Sequence, residues 1–364
     1  MAYINVVIPV YNAEQYLLDT VRSVLDQPEK DIEIILVDDG STDTSGKLCD
    51  EIAQIEERVS VVHKSNGGVS SARNVGIEYF LKNCKYGYIA FCDADDLWVP
   101  NTLSHTMTKE IKNEDADIVG FSMYSSNSSA ARFCVTNKYE KNVIIKQKYE
   151  GKHLFGGGSF AAHLYNIRLF MQNPVRFVEG CAHNEDVIFS AKMFFCSQTI
   201  LNLDTFLYIY RKNYQSSTNM IRYSLENATL IPDSWEEASV FSNRLFVDDC
   251  VESNNWSKFC KTMSSIRCLE ILKILSDMGY VQNEIEKVFM KKEYFHRIES
   301  LHLDELAEWQ RDHLIQYKTD RDRFYHSGRK CVHIFRNYLK ACNIFRRVYD
   351  LKKYKLSLNE IRNK

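Results

Sequence analysis

Three carboxylates lie within the four residues Asp93-Ala94-Asp95-Asp96, directly after an apolar run at residues 88–92. Neighbouring carboxylates repel one another and are costly to desolvate, so packing does not account for three of them at the end of a strand. A hard divalent cation does, because Mg²⁺ or Mn²⁺ takes one or two protein carboxylates and shares the rest of its shell with substrate phosphates. A polar turn before a helix N-terminus remains the alternative.

A second acidic segment, Asp38-Asp39-Gly40-Ser41-Thr42-Asp43, follows the apolar run at residues 32–37. The carboxylates of Asp38 and Asp39 can accept hydrogen bonds from a base N–H and a ribose hydroxyl. Tyr11, after an earlier apolar run, offers an aromatic face beside them. These two acidic strand ends together predict a site for a nucleotide whose phosphates are neutralised by a metal.

The elements that must position these residues alternate between strands and helices. Short, β-branched runs at 4–8, 32–37, 59–63 and 88–92 predict strands that are covered on both faces. Apolar residues at helical spacing predict helices over about 14–27 and 69–81. This order predicts an α/β fold with a right-handed, doubly wound, mostly parallel sheet, in which ligands bind beyond the carboxyl ends of the strands.

Two common phosphate-binding motifs are missing from the sequence. No G-x-G-x-x-G follows the first strand, and no G-x-x-x-x-G-K-[ST] occurs in the chain. The sequence therefore argues against the phosphate cradles of dinucleotide-binding dehydrogenases and P-loop NTPases.

Four motifs follow one another along the chain. They are Val7-Ile8-Pro9-Val10-Tyr11-Asn12, Leu36-Val37 followed by residues 38–43, Asn66-Gly67-Gly68-Val69-Ser70-Ser71-Ala72-Arg73-Asn74-Val75-Gly76, and the D-x-D tetrad at 93–96. Their order and spacing are those of family 2 glycosyltransferases, and over roughly the first 215 residues the chain resembles that family, of the bacterial polysaccharide type. The resemblance implies a Rossmann-like GT-A fold and inversion at the anomeric carbon.

The resemblance implies a role for each matching residue on the nucleotide side. Pro9 and Tyr11 resemble contacts to the nucleobase, Asp39 resembles the acceptor for the uracil imide N–H, and Asp38 resembles its support. The roles of the remaining matches concern the phosphates and the metal, Mn²⁺ or Mg²⁺. Arg73 and Asn74 resemble the family's A-R-N, whose arginine braces the nucleotide, Asp93 would meet the ribose or the metal, and Asp95 would be the direct metal ligand.

On the acceptor side, Glu185 and Asp186 match the family's Glu-Asp pair, whose aspartate is the usual general base and whose glutamate positions the sugars. Acids in the first turn of a helix, favoured by its macrodipole, are the alternative interpretation. Arg211 resembles the family's cation for the leaving diphosphate, because its planar fork suits phosphate. A surface charge on an edge strand is the alternative for Arg211.

One stretch departs from the family pattern. Relatives commonly have a Trp-Asn-Lys-Leu-Tyr-like run where this chain has Phe160-Ala161-Ala162-His163-Leu164-Tyr165, preceded by Gly156-Gly157-Gly158-Ser159. This region would face the acceptor, so the departure leaves the identity of the acceptor open but not the donor chemistry. The sequence also fixes neither the linkage nor the transferred sugar.

Composition predicts one full domain with a helical appendage. The chain has 364 residues, 45% of them hydrophobic, and 11 scattered cysteines without a C-x-x-C, which favours reduced thiols in a cytoplasmic protein. No apolar run approaches the length of a spanning helix. We expect a catalytic domain at 1–220, with a nucleotide half at 1–125 and an acceptor half at 126–220. A helical region at 221–364 would follow, with helices over 235–247, 256–278, 281–290, 303–317 and 330–354.

The last segment is strongly basic. Residues 321–364 contain 13 Lys or Arg and 3 Asp or Glu, a net charge of +10 in a chain of net charge −2. A basic amphipathic helix here could lie on an anionic membrane, which predicts a peripheral protein on the inner face of the plasma membrane. A helix docked on the bundle is the alternative. Nucleic-acid binding is the weakest interpretation, since no recognised motif accompanies the charge.

The sequence thus predicts a metal-dependent hexosyl- or N-acetylhexosaminyl-transferase. The donor would be a nucleotide diphosphate sugar, preferably a UDP-sugar, and the acceptor a hydroxyl of a glycan or lipid-linked saccharide in cell-surface polysaccharide synthesis. An inactive nucleotide-sugar-binding or scaffold protein of the same fold is the alternative. A nucleotidyltransferase is more distant, because it would need a glycine-rich basic loop after the first strand.

Overall fold

A computed structural model describes two compact units of the chain. Of the described residues, 3–180 and 185–212 belong to the first unit, and 184 and 229–324 to the second. The predicted domain boundary at residue 220 falls between them. The residues described are 3–83, 86–126, 133–137, 142–145, 160–180, 184–212, 229–240, 251–277, 280–290, 294–299, 301, 308–321 and 324.

The first part of unit one is the predicted alternation of strands and helices. The strands β1, β2, β3 and β4 pair in parallel in the order β3-β2-β1-β4, with β1 wholly buried, so this part of the prediction is confirmed. The elements are β1 (Ile4–Val10), α1 (Leu17–Leu25), β2 (Ile32–Asp38), α2 (Ser45–Ile55), β3 (Val59–His63), α3 (Val69–Asn83) and β4 (Tyr88–Phe91).

The other half of the sheet is mixed in direction. β9 pairs antiparallel with both β4 and β6, β10 runs parallel to β6, and β5 closes the row antiparallel to β10. The carboxyl ends of β4, β6 and β10 therefore lie at one edge of the sheet. The elements are β5 (Leu97–Trp98), α4 (His105–Glu114), β6 (Ile118–Ser126), β7 (Phe133–Asn137), β8 (Asn142–Ile145), a 3₁₀ turn (Phe160–Ala162), β9 (His163–Asn166), α5 (Ile167–Gln172), α6 (Glu185–Cys196) and β10 (Thr199–Arg211).

The close approach of α3 to β1 depends on Gly76. A Cβ atom at this position would lie 2.3 Å from Cγ1 of Val7, which is closer than carbon atoms can come. Only glycine therefore allows the helix to pack at this distance, and Arg73 lies one turn earlier on the same helix.

The described part of the second unit is helical. Trp235 is fully buried, and the Ser264 hydroxyl donates to the Pro232 carbonyl oxygen at 3.1 Å, which joins the first two helices. No helix in this part of the chain or in the described part of unit one is both long enough and apolar enough to cross a membrane. The helices are α7 (Leu230–Ser239), α8 (Val251–Asp277), α9 (Gln282–Met290), α10 (Tyr294–Glu299) and α11 (Glu308–Thr319).

The predicted helical character of the region after residue 221 is confirmed wherever the structure describes it. The predicted helix over 330–354 and most of the basic segment 321–364 lie outside the described residues, as does the glycine run at 156–159.

We expect Gly76→Ala to lower the free energy of unfolding by about 1–2 kcal/mol. A contact of 2.3 Å places the cost of a methyl group against Val7 in the upper part of the usual range, at about 2–3 kcal/mol, of which the higher helix propensity of alanine recovers up to about 1 kcal/mol. Urea denaturation measures the change, with the exposed Lys82→Ala on the same helix as a control that should stay within about 0.5 kcal/mol. An unchanged or higher free energy for Gly76→Ala would contradict the close packing of α3 on β1.

Candidate active site

Asp38 ends β2 and is held by two partners. One carboxylate oxygen accepts from the backbone N–H of Ser41 at 3.0 Å, and the other lies 2.9 Å from Nδ1 of His63. Burial alone would raise the pKa of Asp38, but these hydrogen bonds outweigh burial and hold the pKa below its usual value. Both oxygens are thus engaged within the protein, as a supporting role requires.

Asp39 is buried and receives three hydrogen bonds from the loop between β3 and α3. Oδ1 accepts from Nζ of Lys64 at 2.5 Å and from the backbone N–H of Gly67 at 2.9 Å, and Oδ2 accepts from the backbone N–H of Gly68 at 2.8 Å. The plane of the carboxylate is therefore fixed at the edge of the sheet.

The end of β1 is bonded to the backbone of Asp39 and continues into an exposed aromatic residue. The backbone N–H of Asp39 donates to the Val10 carbonyl oxygen at 2.8 Å, and Tyr11, 51% exposed, follows Val10 directly. Asn12 has φ +49° and accepts from the backbone N–H of Thr42 at 2.8 Å, which ties the β1 end to the loop after β2. Pro9 is buried inside β1, so only its backbone could meet a base.

Arg73 joins the two predicted halves of the site. Its guanidinium, 4% exposed, donates to Asp93 at 2.7 Å and to Glu185 at 3.2 Å. It also lies over the rings of Phe160, at 4.5 Å, and Phe177, at 5.1 Å. Although burial opposes the charge, the two carboxylates raise the pKa of Arg73, so its charge is permanent.

Asn74, predicted to contact the nucleotide with Arg73, faces a different segment. Its amide donates to the Phe177 carbonyl oxygen and to Glu179, both at 3.0 Å, and accepts from the Phe177 N–H at 2.9 Å. These bonds fix the backbone at Phe177, whose ring lies beneath the Arg73 guanidinium. Both amide hydrogens are used in these bonds, so a contact of Asn74 with the nucleotide, which stays a prediction, would use the second lone pair of its amide oxygen.

The acidic tetrad forms a tight turn in which the third carboxylate is structural. The backbone N–H of Asp96 donates to the Asp93 carbonyl oxygen at 2.9 Å, and the Asp96 carboxylate accepts from the Tyr208 hydroxyl at 2.6 Å. Burial raises the pKa of Asp96 well above its usual value, and the charges of Asp95 and Asp93 add to the effect. Asp93 and Asp95 are both partly exposed and remain the candidates for a cation.

Arg211 is buried at the end of β10, where its backbone N–H donates to the other oxygen of Asp96 at 2.7 Å. Its guanidinium lies 5.0 Å from the ring centre of Tyr16, and its Nε is buried with no hydrogen-bond partner among the described residues. The alternative of a surface charge on an edge strand is wrong, because β10 lies between β6 and β5.

Glu185 and Asp186 begin α6, as predicted. Burial, and then the charge of Asp186, raise the pKa of Glu185. Burial also raises the pKa of Asp186, against the lowering effect of the Arg73 charge. Arg73 therefore connects the Asp93 carboxylate to the helix turn that carries Asp186. Both acids lie in the first turn of the helix, where the macrodipole favours them, and Glu185 is in addition paired with the buried Arg73.

Sequence reasoning missed several residues of the site. Lys64, Tyr208 and Thr20 carry no motif of their own, although Thr20 donates to the carbonyl oxygens of Ala94 and Asp96, both at 2.8 Å. Asp96 stood in the tetrad without an assigned role. Only the spacing of polar residues at strand ends could have indicated Lys64, and nothing local indicates the other two.

No group of three or more His, Cys, Asp or Glu in the described part of the chain could hold a metal ion by itself. A pair of carboxylates such as Asp93 and Asp95 fits a cation that takes most of its ligands from a bound diphosphate.

We expect the stability that His63 contributes to fall as the pH rises. Its ring lies 3.0 Å from Asp50 and 2.9 Å from Asp38, and both contacts raise the pKa of His63. A pKa that is higher in the folded state gives stability that is complete below about pH 6.5 and is lost as the pH passes the folded value. The effect should stay below about 1 kcal/mol because the side chain is 46% exposed.

Urea denaturation of the wild type and His63→Gln at about pH 5.5 and about pH 8.5 measures this difference. The advantage of the wild type should shrink at the higher pH, and His105→Gln, 80% exposed, serves as the control. A wild-type advantage that grows with pH would contradict the assignment of a protonated His63.

Comparisons with known proteins agree with the motifs and the fold. The family model described as Glycosyl transferase family 2 matches residues 5–170. The chain is 33% identical to the uncharacterized glycosyltransferase EpsJ of Bacillus subtilis (strain 168), over 60% of this chain and 63% of EpsJ. It is 36% identical to glycosyltransferase GlyA of Streptococcus pneumoniae serotype 4, over 57% of this chain and 30% of GlyA. The alignments thus span less than two thirds of these two relatives.

Two further matches cover more of the partner protein. Glycosyltransferase GlyG of S. pneumoniae serotype 4 is 30% identical over 68% of this chain and 80% of GlyG. The crystal structure of S. aureus TarS 1–349 in complex with UDP-GlcNAc has a TM-score of 0.57 at 16% identity and covers 92% of each chain. This last similarity is one of fold, and it agrees with the GT-A architecture implied by the motifs. The chain belongs to family 2 of the glycosyltransferases.

Proposed function

We propose that the chain is a metal-dependent, inverting hexosyl- or N-acetylhexosaminyl-transferase that uses a UDP-sugar. The acceptor would be a hydroxyl of a glycan or lipid-linked saccharide in cell-surface polysaccharide synthesis. The observation that carries the proposal is the double ion pair of Arg73, at 2.7 Å to Asp93 and 3.2 Å to Glu185. It joins the acidic strand end that suits a nucleotide diphosphate to the helix turn that carries a candidate base.

The nucleotide would lie along the ends of β1, β2 and β4. Asp39 has a fixed carboxylate that can accept one more hydrogen bond, and Tyr11, with a half-exposed ring, follows the β1 residue to which the Asp39 backbone is bonded. An imide N–H of the base is the donor that suits this acceptor, which favours a uracil nucleotide.

Asp95 and Asp93 would hold the divalent cation. Their donor set consists of carboxylate oxygens, which suits Mg²⁺ or Mn²⁺, and the tetrad's third carboxylate is already bonded to Tyr208 and to the Arg211 backbone. When bound, the cation would supply Lewis-acid stabilisation for the charge on the diphosphate. Arg211, with its buried Nε, is the protein's own candidate for stabilising the same group.

Asp186 would act as the general base. It would accept the proton of the acceptor hydroxyl while that oxygen bonds to the anomeric carbon and the bond from this carbon to the diphosphate breaks on the opposite face. Its raised pKa brings it closer to neutral pH, where a base is most effective. Glu185, bonded to Arg73, would orient the sugars.

The relatives support the polysaccharide assignment. The chain is 28% identical over 221 residues to the minor teichoic acid biosynthesis protein GgaA of Bacillus subtilis (strain 168). Crystal structures of S. aureus TarS 1–349 include complexes with UDP-GlcNAc and with UDP. A lipid-linked acceptor would bring the chain to a membrane surface, where the basic segment 321–364 could contribute.

A panel of nucleotide sugars tests the proposal. UDP-glucose, UDP-galactose, UDP-GlcNAc, UDP-GalNAc and dTDP-rhamnose are incubated with Mn²⁺ or Mg²⁺, with and without a chelator, and the released nucleotide diphosphate is measured. We expect slow hydrolysis of one or more UDP-sugars that the chelator abolishes. Release that is insensitive to the chelator would contradict metal dependence. No release with any donor would support the alternative of an inactive nucleotide-sugar-binding protein.

Two substitutions separate catalysis from binding. Asp186→Asn should lower the turnover number by about 10²–10⁴ and leave the affinity for UDP within about twofold, because only the base is lost. Asp95→Ala should remove the increase in UDP affinity that Mn²⁺ gives, as measured by calorimetry. Asp26→Asn, an exposed carboxylate on the chain after α1, is the matched control. If Asp186→Asn and Asp95→Ala transfer sugar like the wild type, the assigned roles are wrong.

A further inference from the structure

The loop at residues 64–68, between β3 and α3, surrounds the Asp39 carboxylate with donors. The Lys64 ammonium lies 2.5 Å from Oδ1, and its side chain is 19% exposed against 4% for Asp39. The N–H groups of Gly67 and Gly68 complete the set at 2.9 and 2.8 Å. Asp39 belongs to a family motif, but Lys64 lies outside all four motifs and has no role in the arrangement described above.

The local backbone fits the loop tightly around this pair. The Lys64 N–H donates to the Asp38 carbonyl oxygen at 3.0 Å. Gly40 has φ +72°, and a Cβ there would lie 2.9 Å from the Asn66 nitrogen. A Cβ at Gly67 would lie 2.9 Å from Nζ of Lys64. The ammonium is therefore held in a narrow space beside the carboxylate, unlike a lysine that points into solvent.

Among the described residues, the Asp39 carboxylate has one unused acceptor position and the Lys64 ammonium has one unused hydrogen. A carboxylate has about four lone-pair positions, and three donors of the loop occupy Asp39. The ammonium has three hydrogens, and its acceptors among the described residues are Asp39 and the Ser65 carbonyl oxygen, the latter at 2.7 Å. Among the described residues, Oδ2 of Asp39 accepts only from Gly68, and the third ammonium hydrogen of Lys64 has no acceptor, so each group can bond a ligand.

Resting on the proposed function, we infer that Lys64 is a specificity-determining residue that reads the base of the donor nucleotide. A uracil edge presents an imide N–H flanked by carbonyl oxygens. Asp39 accepts from the N–H, and Lys64 donates to one flanking oxygen. Cytosine presents a ring nitrogen acceptor beside an amino donor, so its ring nitrogen would face the carboxylate without a proton. The pair therefore selects the imide over cytosine.

Binding of base-modified nucleotides tests the inference. Dissociation constants of UDP, 2-thio-UDP, 4-thio-UDP and CDP are measured with Mg²⁺ by calorimetry for the wild type, Lys64→Met and Lys64→Arg. Sulfur is a weak acceptor, so the thio analogue that replaces the oxygen bonded to Lys64 should bind the wild type about tenfold more weakly than UDP does. Lys64→Met should bind UDP about tenfold more weakly and should no longer distinguish this analogue. Lys64→Arg should keep the preference.

Controls separate reading of the base from support of the loop. Lys47→Met removes a lysine that is 78% exposed on α2 and should change no constant. Thermal unfolding shows whether Lys64→Met is folded. If Lys64→Met is unfolded, the nucleotide dissociation constants are measured for Lys64→Gln, which is also neutral. The inference about Lys64 is overturned if a neutral variant binds all four nucleotides more weakly by the same factor. It is also overturned if such a variant still distinguishes the thio analogue as the wild type does. Neither result contradicts the proposed function. A wild type that does not favour UDP over CDP overturns the uridine part of the proposed function as well.

Discussion

The buried charge of Arg73 is the constraint on which the site depends. A guanidinium that is 4% exposed is tolerable only with partners, and removal of one partner from a buried pair typically costs about 3–5 kcal/mol. The partners come from two distant parts of the chain, Asp93 after β4 and Glu185 at the start of α6. The faces of Phe160 and Phe177 surround the charge and exclude water from it. The fold must therefore bring these segments together to satisfy a single side chain.

A second network fixes the opposite side of the acidic turn. Asp96 takes the hydroxyl of Tyr208 and the backbone N–H of Arg211, while Thr20 bonds two carbonyl oxygens of the turn. The turn that carries Asp93 and Asp95 is thus held by α1 and β10 as well as by α3. Groups that are oriented before the substrate arrives need little reorganisation during the reaction, which is the usual source of electrostatic catalysis.

The parts of this arrangement that follow from local pattern could be predicted from the sequence. Apolar runs that end in acidic residues predicted the strands, the edge at which their carboxyl ends lie, and the position of Asp39 at that edge. The two neighbouring acids indicated the first turn of α6. Glu185, the more distant partner of Arg73, lies 112 residues away along the chain, so no local pattern indicates this ion pair without a family resemblance. The burial of Arg211 depends on β5 and β6 on either side of β10. The motif that contains Asn74 likewise does not reveal that the nitrogen and the oxygen of its amide both bond the backbone of Phe177.

The contact between Gly76 and Val7 has a consequence for how the site can change. The Val7 carbonyl oxygen also accepts from the N–H of Cys92, the residue before Asp93, so the strand on which α3 packs is paired with the chain that enters the acidic turn. The spacing between α3 and the sheet, set by a single hydrogen atom in place of a side chain, therefore bears on how far Arg73 lies from Asp93. Enlarging residue 76 would move a positive charge away from a negative one without touching either. Side-chain volume far from solvent thus tunes the electrostatic potential at the sheet edge.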